Sequence, residues 1–329
     1  CRAGAGRVYA VDGGSVIGLA RALCAANGFA DRVTFVKGLS TRVVLPEKAH
    51  LVVADQIGRF GFEAGLWECF TDARARLLEP GAVTIPALVE LWIAAVEAPA
   101  LFEPIEFWRS SPAGFDISAA RALAVNTGYP AQLDEAELVT APARLALLDL
   151  AGPEPRSLLA ELELTASRSG TLHGLGGWFR AELAPGVFMS NAPGDPARID
   201  RRNVFLPIAS PVGLDPGDRI AVRARVVPSQ AMVSWRVTVT AASGASKGHF
   251  THSTAEGMLL TSEDVERTRP GYVPTLSPWG AARRTLLMLC DGHRSIGEIE
   301  AELCRRHPDL FASPSAAGGF VAEVVTRYA

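Results

Sequence analysis

Two acidic positions, each at the end of an apolar run, are the residues best placed to do chemistry. The first closes Val8-Tyr9-Ala10-Val11-Asp12 and is followed at once by Gly13-Gly14-Ser15. A carboxylate ending the second strand of a nucleotide-binding sheet can accept hydrogen bonds from both ribose hydroxyls. Glycines behind it let backbone approach a ligand closely, which makes Gly13 a second binding position. The same residues also read as a surface aspartate that merely closes a strand. The second position opens Asp55-Gln56-Ile57-Gly58-Arg59-Phe60-Gly61-Phe62-Glu63. Ligands in open α/β sheets bind beyond the carboxyl ends of the strands, so Asp55 stands where a substrate would lie. With Glu63 on the same loop or at a helix start, two carboxylates can orient a cationic nitrogen nucleophile and stabilise developing charge. Alternatively Glu63 only favours a helix N-terminus and Asp55 pairs with Arg59.

The elements that must position these residues are legible in the hydrophobic periodicity. Apolar runs at Val8–Val11, Val33–Val36 and Leu51–Ala54 predict buried strands of a parallel sheet. Between the first two, Ser15 to Asn27 predicts a helix with Val16, Leu19, Ala20, Leu23 and Cys24 on one face, and Gly28 where a C′ glycine belongs. Phe62 to Leu78 predicts the next helix, closed by Glu79-Pro80-Gly81. Alternating strand and helix of this length predict a doubly wound, Rossmann-like sheet over 1–86. Over 87–254 the pattern changes to short alternating stretches: Gly177–Leu183, Arg219–Val227 and Val233–Thr240 predict β-hairpins, with turns at Ala184-Pro185-Gly186 and Asp215-Pro216-Gly217-Asp218. Ile117 to Leu133 has weak helical character inside this β region. From 255 to 329 the chain reads as helical. Arg283 to Cys290 and Ile296 to Arg306 are amphipathic, and Ser295 with Glu298 forms a capping-box signature.

Composition excludes some function classes. The 329 residues are 48% hydrophobic and 20% charged with a formal net charge of -3, which fits neither a general nucleic-acid binder nor an anionic-membrane binder. Lys and Arg read as scattered rather than striped along a face. Cys1, Cys24, Cys69, Cys290 and Cys304 are widely spaced without a CxxC pair, so the expectation is reduced thiols in a cytoplasmic protein, with no disulfide framework and no zinc site. The most apolar stretch, Val83 to Val96, is too short to span a bilayer. His249-Phe250-Thr251-His252 has chelating spacing on a helix, but on a strand its two imidazoles face opposite ways. No metal is expected. The chain opens on Cys1 rather than Met and reaches a strand within a few residues, so a glycine-rich cofactor loop is expected to lie ahead of it.

The order and spacing of these features resemble the protein arginine methyltransferases. The resemblance runs through Val8–Asp12, Asn27 with Asp31-Arg32-Val33, Lys37-Gly38, Leu45-Pro46 and the Asp55–Glu63 loop. It continues at Trp108, Gly114-Phe115-Asp116-Ile117-Ser118, Gly177-Trp178-Phe179 and Asn191-Ala192-Pro193-Gly194, covering about Arg7 to Thr254. It implies an S-adenosylmethionine (SAM)-binding α/β domain over 1–86 and a β-barrel over 87–254 carrying a helical dimerisation arm at about 109–133. It assigns Asp12, Gly13, Gly38, Ser40 and Thr41 to the cofactor, Asp55 and Glu63 to catalysis, and Arg59 and Asp200 to the substrate. Departures from the family pattern are Asp55 for its first glutamate, Ala64 at its second with Glu63 one residue early, Arg59 for a tyrosine, Ile199-Asp200-Arg201 for Thr-His-Trp, and Thr41 at an adenine-contacting acidic position. A guanidinium needs carboxylates to localise its charge away from the attacking nitrogen. The altered loop therefore suits a neutral or anionic nucleophile at least as well as arginine.

Leu286 to Leu303 resembles the small PqqD-type helical domain, which implies capture of a precursor peptide's leader in a ribosomal-peptide pathway, with strand addition as the binding mode. Together these readings predict SAM-dependent methyl transfer to a peptide or protein side chain by a homodimer. A non-catalytic peptide-recruitment module and a methyltransferase acting on a small, free-arginine-like molecule are the alternatives. Ala119, Ala120, Leu123, Ala124 and Leu133 are the arm's candidate apolar contacts, to a partner or within the chain.

Overall fold

The computed structural model describes residues 1–259 and 262–328. The chain divides into two compact units, Cys1–Leu259 and Leu260–Ala329. Of the tail expected over 255–329, positions 260, 261 and 329 lie outside the described residues.

The first unit opens with β1 (Val8–Asp12), α1 (Val16–Ala26), β2 (Val33–Lys37), β3 (Ala49–Val53), α2 (Leu66–Arg76) and β4 (Leu78–Ile85). The strands form two parallel pairs, β1 with β2 and β3 with β4, rather than the continuous sheet expected from the periodicity. Among the described residues no strand bridges β1 and β3. Helix α1 occupies the expected range, with Gly28 at φ 74° just past its end. Its apolar stripe is not covered, however: Val16, Leu19 and Leu23 are exposed and only Ile17 is buried.

Two further expectations are corrected here. Helix α2 starts at Leu66 rather than Phe62, because Gly58, Gly61 and Gly65 all hold positive φ and keep 54–65 out of the helical region. Glu79-Pro80-Gly81 does not terminate it. Those residues lie inside β4, where the pairing jumps from Ala49↔Leu78 to Leu51↔Val83 and the intervening residues bulge outward with Gly81 at φ 78°.

The β-sheet domain follows: β5 (Leu88–Val96), α3 (Pro99–Glu106), α4 (Arg121–Ala124), β6 (Tyr129–Ala131), β7 (Ala143–Asp149), β8 (Leu158–Thr165), β9 (Gly170–Ala184), β10 (Val187–Ser190), β11 (Asn203–Leu214), β12 (Arg219–Val227), β13 (Met232–Thr240) and β14 (Ser246–Ser253). One sheet runs β6-β11-β9-β5-β7, with β10 paired to β9, and the other runs β14-β13-β12-β8. The three expected hairpin stretches fall on β9, β12 and β13, and both Pro-Gly turns separate strands as predicted. On β12 and β13 every second residue is buried, which puts Ile220, Val222, Ala224, Val226, Val233, Trp235, Val237 and Val239 into one core with Leu91, Ile93, Phe179 and Ile208 of the other sheet.

The expected helical arm at 109–133 is mostly not helix. It is a series of short turns around the single turn α4, ending in the strand β6. Pro112, Gly114 and the absence of a sustained apolar repeat account for this. Ala124 and Leu133 pack inward with Val96, Phe102, Ile105 and Phe205, whereas Ala119 is exposed and Ala120 and Leu123 are half-buried.

The second unit holds α5 (Ser262–Arg267), α6 (Pro278–Leu289), α7 (Ile296–Arg306) and α8 (Pro314–Tyr328). Its core joins Leu286, Leu289, Ile299, Leu303, Phe311 and Val321. The capping box forms as read from the sequence: Glu298 N donates to Ser295 Oγ at 3.4 Å and Ser295 N donates to Glu298 Oε2 at 2.8 Å. Among its described residues this unit contains no strand, so strand addition has no edge to use there.

Candidate active site

The loops following β1 and β2 come together, because the parallel register sets Asp12 beside Lys37 and Gly38 N donates to Asp12 O at 3.1 Å. A Cβ on Gly13 would stand 3.7 Å from the Gly38 carbonyl oxygen, an ordinary contact distance, so the two loops are close neighbours. Asp12 is exposed. Its Oδ1 accepts from Gly14 N at 2.6 Å, which orients the carboxylate across the glycine turn and leaves Oδ2 for another donor. Ser40 and Thr41 continue from Gly38. The Ser40 hydroxyl faces Cys69 Sγ on α2 at 3.7 Å, and burial pushes the Cys69 thiol pKa up. Arg76, held by Asp72, donates to Ser40 O at 3.0 Å and to Val43 O at 2.8 Å, fixing this loop to α2. Asp12, Gly13, Gly38, Ser40 and Thr41 thus lie on adjoining loops at one end of the β1–β2 pair. An exposed carboxylate with a free oxygen above two glycines fits the sugar side of a nucleoside.

The Asp55–Glu63 loop is built differently. Ile57, Phe60 and Phe62 are buried in the same core as the β-sheet domain, so the loop turns its apolar residues in and its polar ones out. Glu63 curls back over its own loop. Its carboxylate accepts from the backbone N–H groups of Arg59, Phe60 (3.1 Å) and Phe62 (3.4 Å), and the Arg59 side chain stands 3.9 Å away. A Cβ on Gly58 would overlap that carboxylate, and one on Gly61 would press on Leu91 and Phe179. Asp55 is exposed and forms its ion pair with Arg201 (2.7 Å) rather than with Arg59, which corrects the alternative pairing considered from the sequence. Each carboxylate of the pair therefore has its own arginine.

Residues missed by the sequence reading hold this loop in place. Asn191, fully buried, donates through Nδ2 to Arg59 O at 2.8 Å and to Arg202 O at 2.9 Å, and accepts from Phe179 N at 2.9 Å. Asn203, also fully buried, donates to Asn191 O at 2.6 Å and accepts from Leu133 N at 3.1 Å. Arg201 adds a contact to Gly58 O at 3.4 Å. The 199–201 segment reaches the loop through Arg201, while the expected substrate residue Asp200 is exposed beside it. The signal in sequence was the Asn191-Ala192-Pro193-Gly194 turn, whose asparagine bonds nothing identifiable until the strands are folded. Arg74 ties α2 to the β-sheet domain through Leu150 O and Gly152 O. The imidazoles of β14 face opposite ways: His249 is exposed and bonds Thr238 Oγ1 at 2.9 Å, whereas His252 is buried.

The fold is that of the arginine methyltransferases. A chain of the Trypanosoma brucei PRMT1 enzyme–prozyme heterotetrameric complex with AdoHcy superposes with a TM-score of 0.67 at 22% identity, over 77% of this chain and 83% of that one. Arabidopsis thaliana protein arginine methyltransferase 10, in an open conformation, superposes with a TM-score of 0.64 at 19% identity, over 77% and 84%. Residues 88–236 match the arginine methyltransferase oligomerization subdomain, which relates the chain to the protein arginine methyltransferase family through that subdomain. Among curated relatives, protein arginine N-methyltransferase 1.1 of A. thaliana is 30% identical over 182 residues, covering 54% of this chain and 46% of the relative. The arginine N(omega)-methyltransferase of Streptomyces achromogenes subsp. streptozoticus is 26% identical over 229 residues, covering 68% and 63%. The chain spans about half the length of the first of these relatives. No described helix is long and apolar enough to cross a membrane.

Proposed function

We propose that this protein is a SAM-dependent methyltransferase of the arginine methyltransferase type, acting on a nitrogen of a peptide or protein side chain. The observation that carries this reading is the Asp55–Glu63 loop, packed into the β-sheet domain core and stapled to it by Asn191 and Arg201. The names of the relatives support the same activity. When bound, SAM supplies an electrophilic methyl group. Asp12 accepts from a ribose hydroxyl with its free oxygen, Gly13 and Gly38 admit the sugar against backbone, and Ser40 and Thr41 line the continuing loop. Asp55 faces the acceptor, Glu63 sets the shape of the loop, and Arg59 and Asp200 flank the approach. In-line transfer depends on placement, so a loop locked by backbone hydrogen bonds suits the task.

The arginines at 59 and 201 bear on acceptor choice. A guanidinium substrate would have to displace Arg201 from Asp55, whereas a less basic nitrogen would not. The β-sheet domain reads as the family's barrel. The exposed α1 stripe, with the exposed Phe107 and Phe115 of the 99–133 segment, supports a homodimer in which that segment covers a partner's α1. The helical second unit reads as a PqqD-like leader-capture domain of a ribosomal-peptide pathway.

The test is titration of the intact protein with SAM, followed by transfer of labelled methyl to candidate peptides. Binding with transfer supports the enzyme. Failure to bind SAM removes it. A second reading, a non-catalytic recruitment module, is favoured by the internal ion pair on each carboxylate, and binding of peptide without SAM or transfer would select it.

A further inference from the structure

Strand β12 reads Arg219-Ile220-Ala221-Val222-Arg223-Ala224-Arg225, and its strict alternation sends the isoleucine and valine inward and all three arginines outward. The register with β13 places Arg223 directly opposite Arg236, which is also outward. The scattered arginines of the sequence therefore converge into one cationic face once the strands pair. Like charges directly opposite on neighbouring strands repel, so this arrangement is unfavourable in the absence of an anion. Glu161 on β8 relieves part of it by pairing with Arg223 at 3.2 Å. Among the described residues Arg219, Arg225 and Arg236 have no ion-pair partner.

The same face carries two adjoining depressions that share Arg225 and Ser234. One, of about 250 Å³, lies over Arg223, Arg225, Arg236 and Thr251, with Leu159 at its side. The other, of about 430 Å³, is bounded by Arg156, Arg225, Ser229, Gln230 and Ser234. The Pro228–Gln230 turn at its rim packs against α2, the helix that follows the Asp55–Glu63 loop. Leu159 is 67% exposed beside Arg225, to which it is paired in register.

We propose that the outward face of the four-stranded sheet is a docking surface for an extended acidic polypeptide segment. Arg223 and Arg225 are two residues apart on one strand, about 7 Å, which is the spacing of alternate side chains in an extended peptide. Carboxylates at alternate positions of such a segment would meet successive arginines bidentately, and the side chains between them would point away from the sheet. Nucleic acid fits less well. The outward positions of these four strands carry no Phe, Tyr or Trp on which a base could stack. The face goes beyond the methyl-transfer reading and does not depend on it.

The probe is a fluorescein-labelled peptide of repeated Asp-Ser-Glu-Leu units, titrated with the intact protein and followed by anisotropy. Saturable binding that weakens with salt is expected, with none for the Asn-Ser-Gln-Leu repeat. Arg225→Glu with Arg236→Glu should weaken binding about tenfold or more without lowering the melting temperature, since both side chains are exposed. Glu161→Lys with Glu163→Lys should tighten it. Equal affinity in the wild type and the arginine variant would overturn the proposal, as would tighter binding of a single-stranded oligonucleotide of equal charge.

Discussion

The two halves of the candidate site are held by different means. The proposed acceptor loop, Asp55–Glu63, rests on Ile57, Phe60 and Phe62 inside the β-sheet domain core and is tied down by a fully buried asparagine. The proposed cofactor residues Asp12, Gly13 and Gly38 sit on exposed loops at the end of a two-stranded parallel pair. The antiparallel sheets cover each other's inner faces and complete their own core. The parallel strands do not, as the exposed Leu51, Val53 and Val83 show. Parallel sheets gain stability only when both faces are covered. The proposed acceptor loop is thus built into the well-packed region, and the proposed cofactor loops lie in the region with the least packing of its own.

The strongest way to break this contrast is Asn191→Ala. It strands a buried N–H and two carbonyls at the joint between loop and sheet, and should cost about 3–5 kcal/mol in denaturant unfolding. A loss below about 1 kcal/mol would mean the loop does not depend on the sheet domain. Next is pH. Burial, with a smaller contribution from Arg121, pulls the His252 imidazole from 6.5 down to about 4, and neither ring nitrogen has a hydrogen-bond partner. The unfolded ring takes up its proton below pH 6.5 and the folded one only near 4. Stability should therefore be full above 6.5, fall by about 2–4 kcal/mol as pH drops to about 4, and then level off. His252→Leu should flatten that window in melts taken at successive pH values. Paired truncations come third: Val237→Ala in β13, fully buried, should cost about 2 kcal/mol, and Val53→Ala in β3, 66% exposed, less than about 0.5 kcal/mol. Equal losses would erase the distinction between the regions. Asp12→Asn should leave the melting temperature unchanged and weaken SAM about tenfold by calorimetry, about 1.4 kcal/mol. Smallest is Arg201→Ala. It should alter stability by less than about 1 kcal/mol, because the Asp55 side of its ion pair is 65% exposed, while lowering KM for a cationic acceptor.

What was legible in the sequence followed from short-range periodicity. Strands β1, β2, β12 and β13 and helices α1 and α7 fall within a residue or two of expectation, because each carries a complete apolar period bounded by glycine, proline or a cap. The two misread segments lack that. The 109–133 segment has its apolar residues filled by contacts to Phe205 and Val96 from distant strands, and Glu79-Pro80-Gly81 looks like a stop until the pairing of β4 with β3 shows a bulge. At the site, the sequence could place Asp55 and Glu63 on one loop. It could not show that Glu63 would spend its oxygens on backbone amides or that Asp55 would meet an arginine 146 positions away. The arginine face was hidden for the same reason, since its charge adds up only across strands.

Gly58 and Glu63 occupy space that neither can yield alone. With Gly58 at φ 79° and a carboxylate filling the volume a methyl group would take, mutations at the two positions should show strong epistasis. Alanine at 58 would collide with the Glu63 carboxylate, and shortening 63 would remove that collision but not the strain of a left-handed backbone beneath a Cβ. Replacing Glu63 thus lifts only one of the two constraints on position 58, and glycine stays the favoured residue there whatever side chain stands at 63.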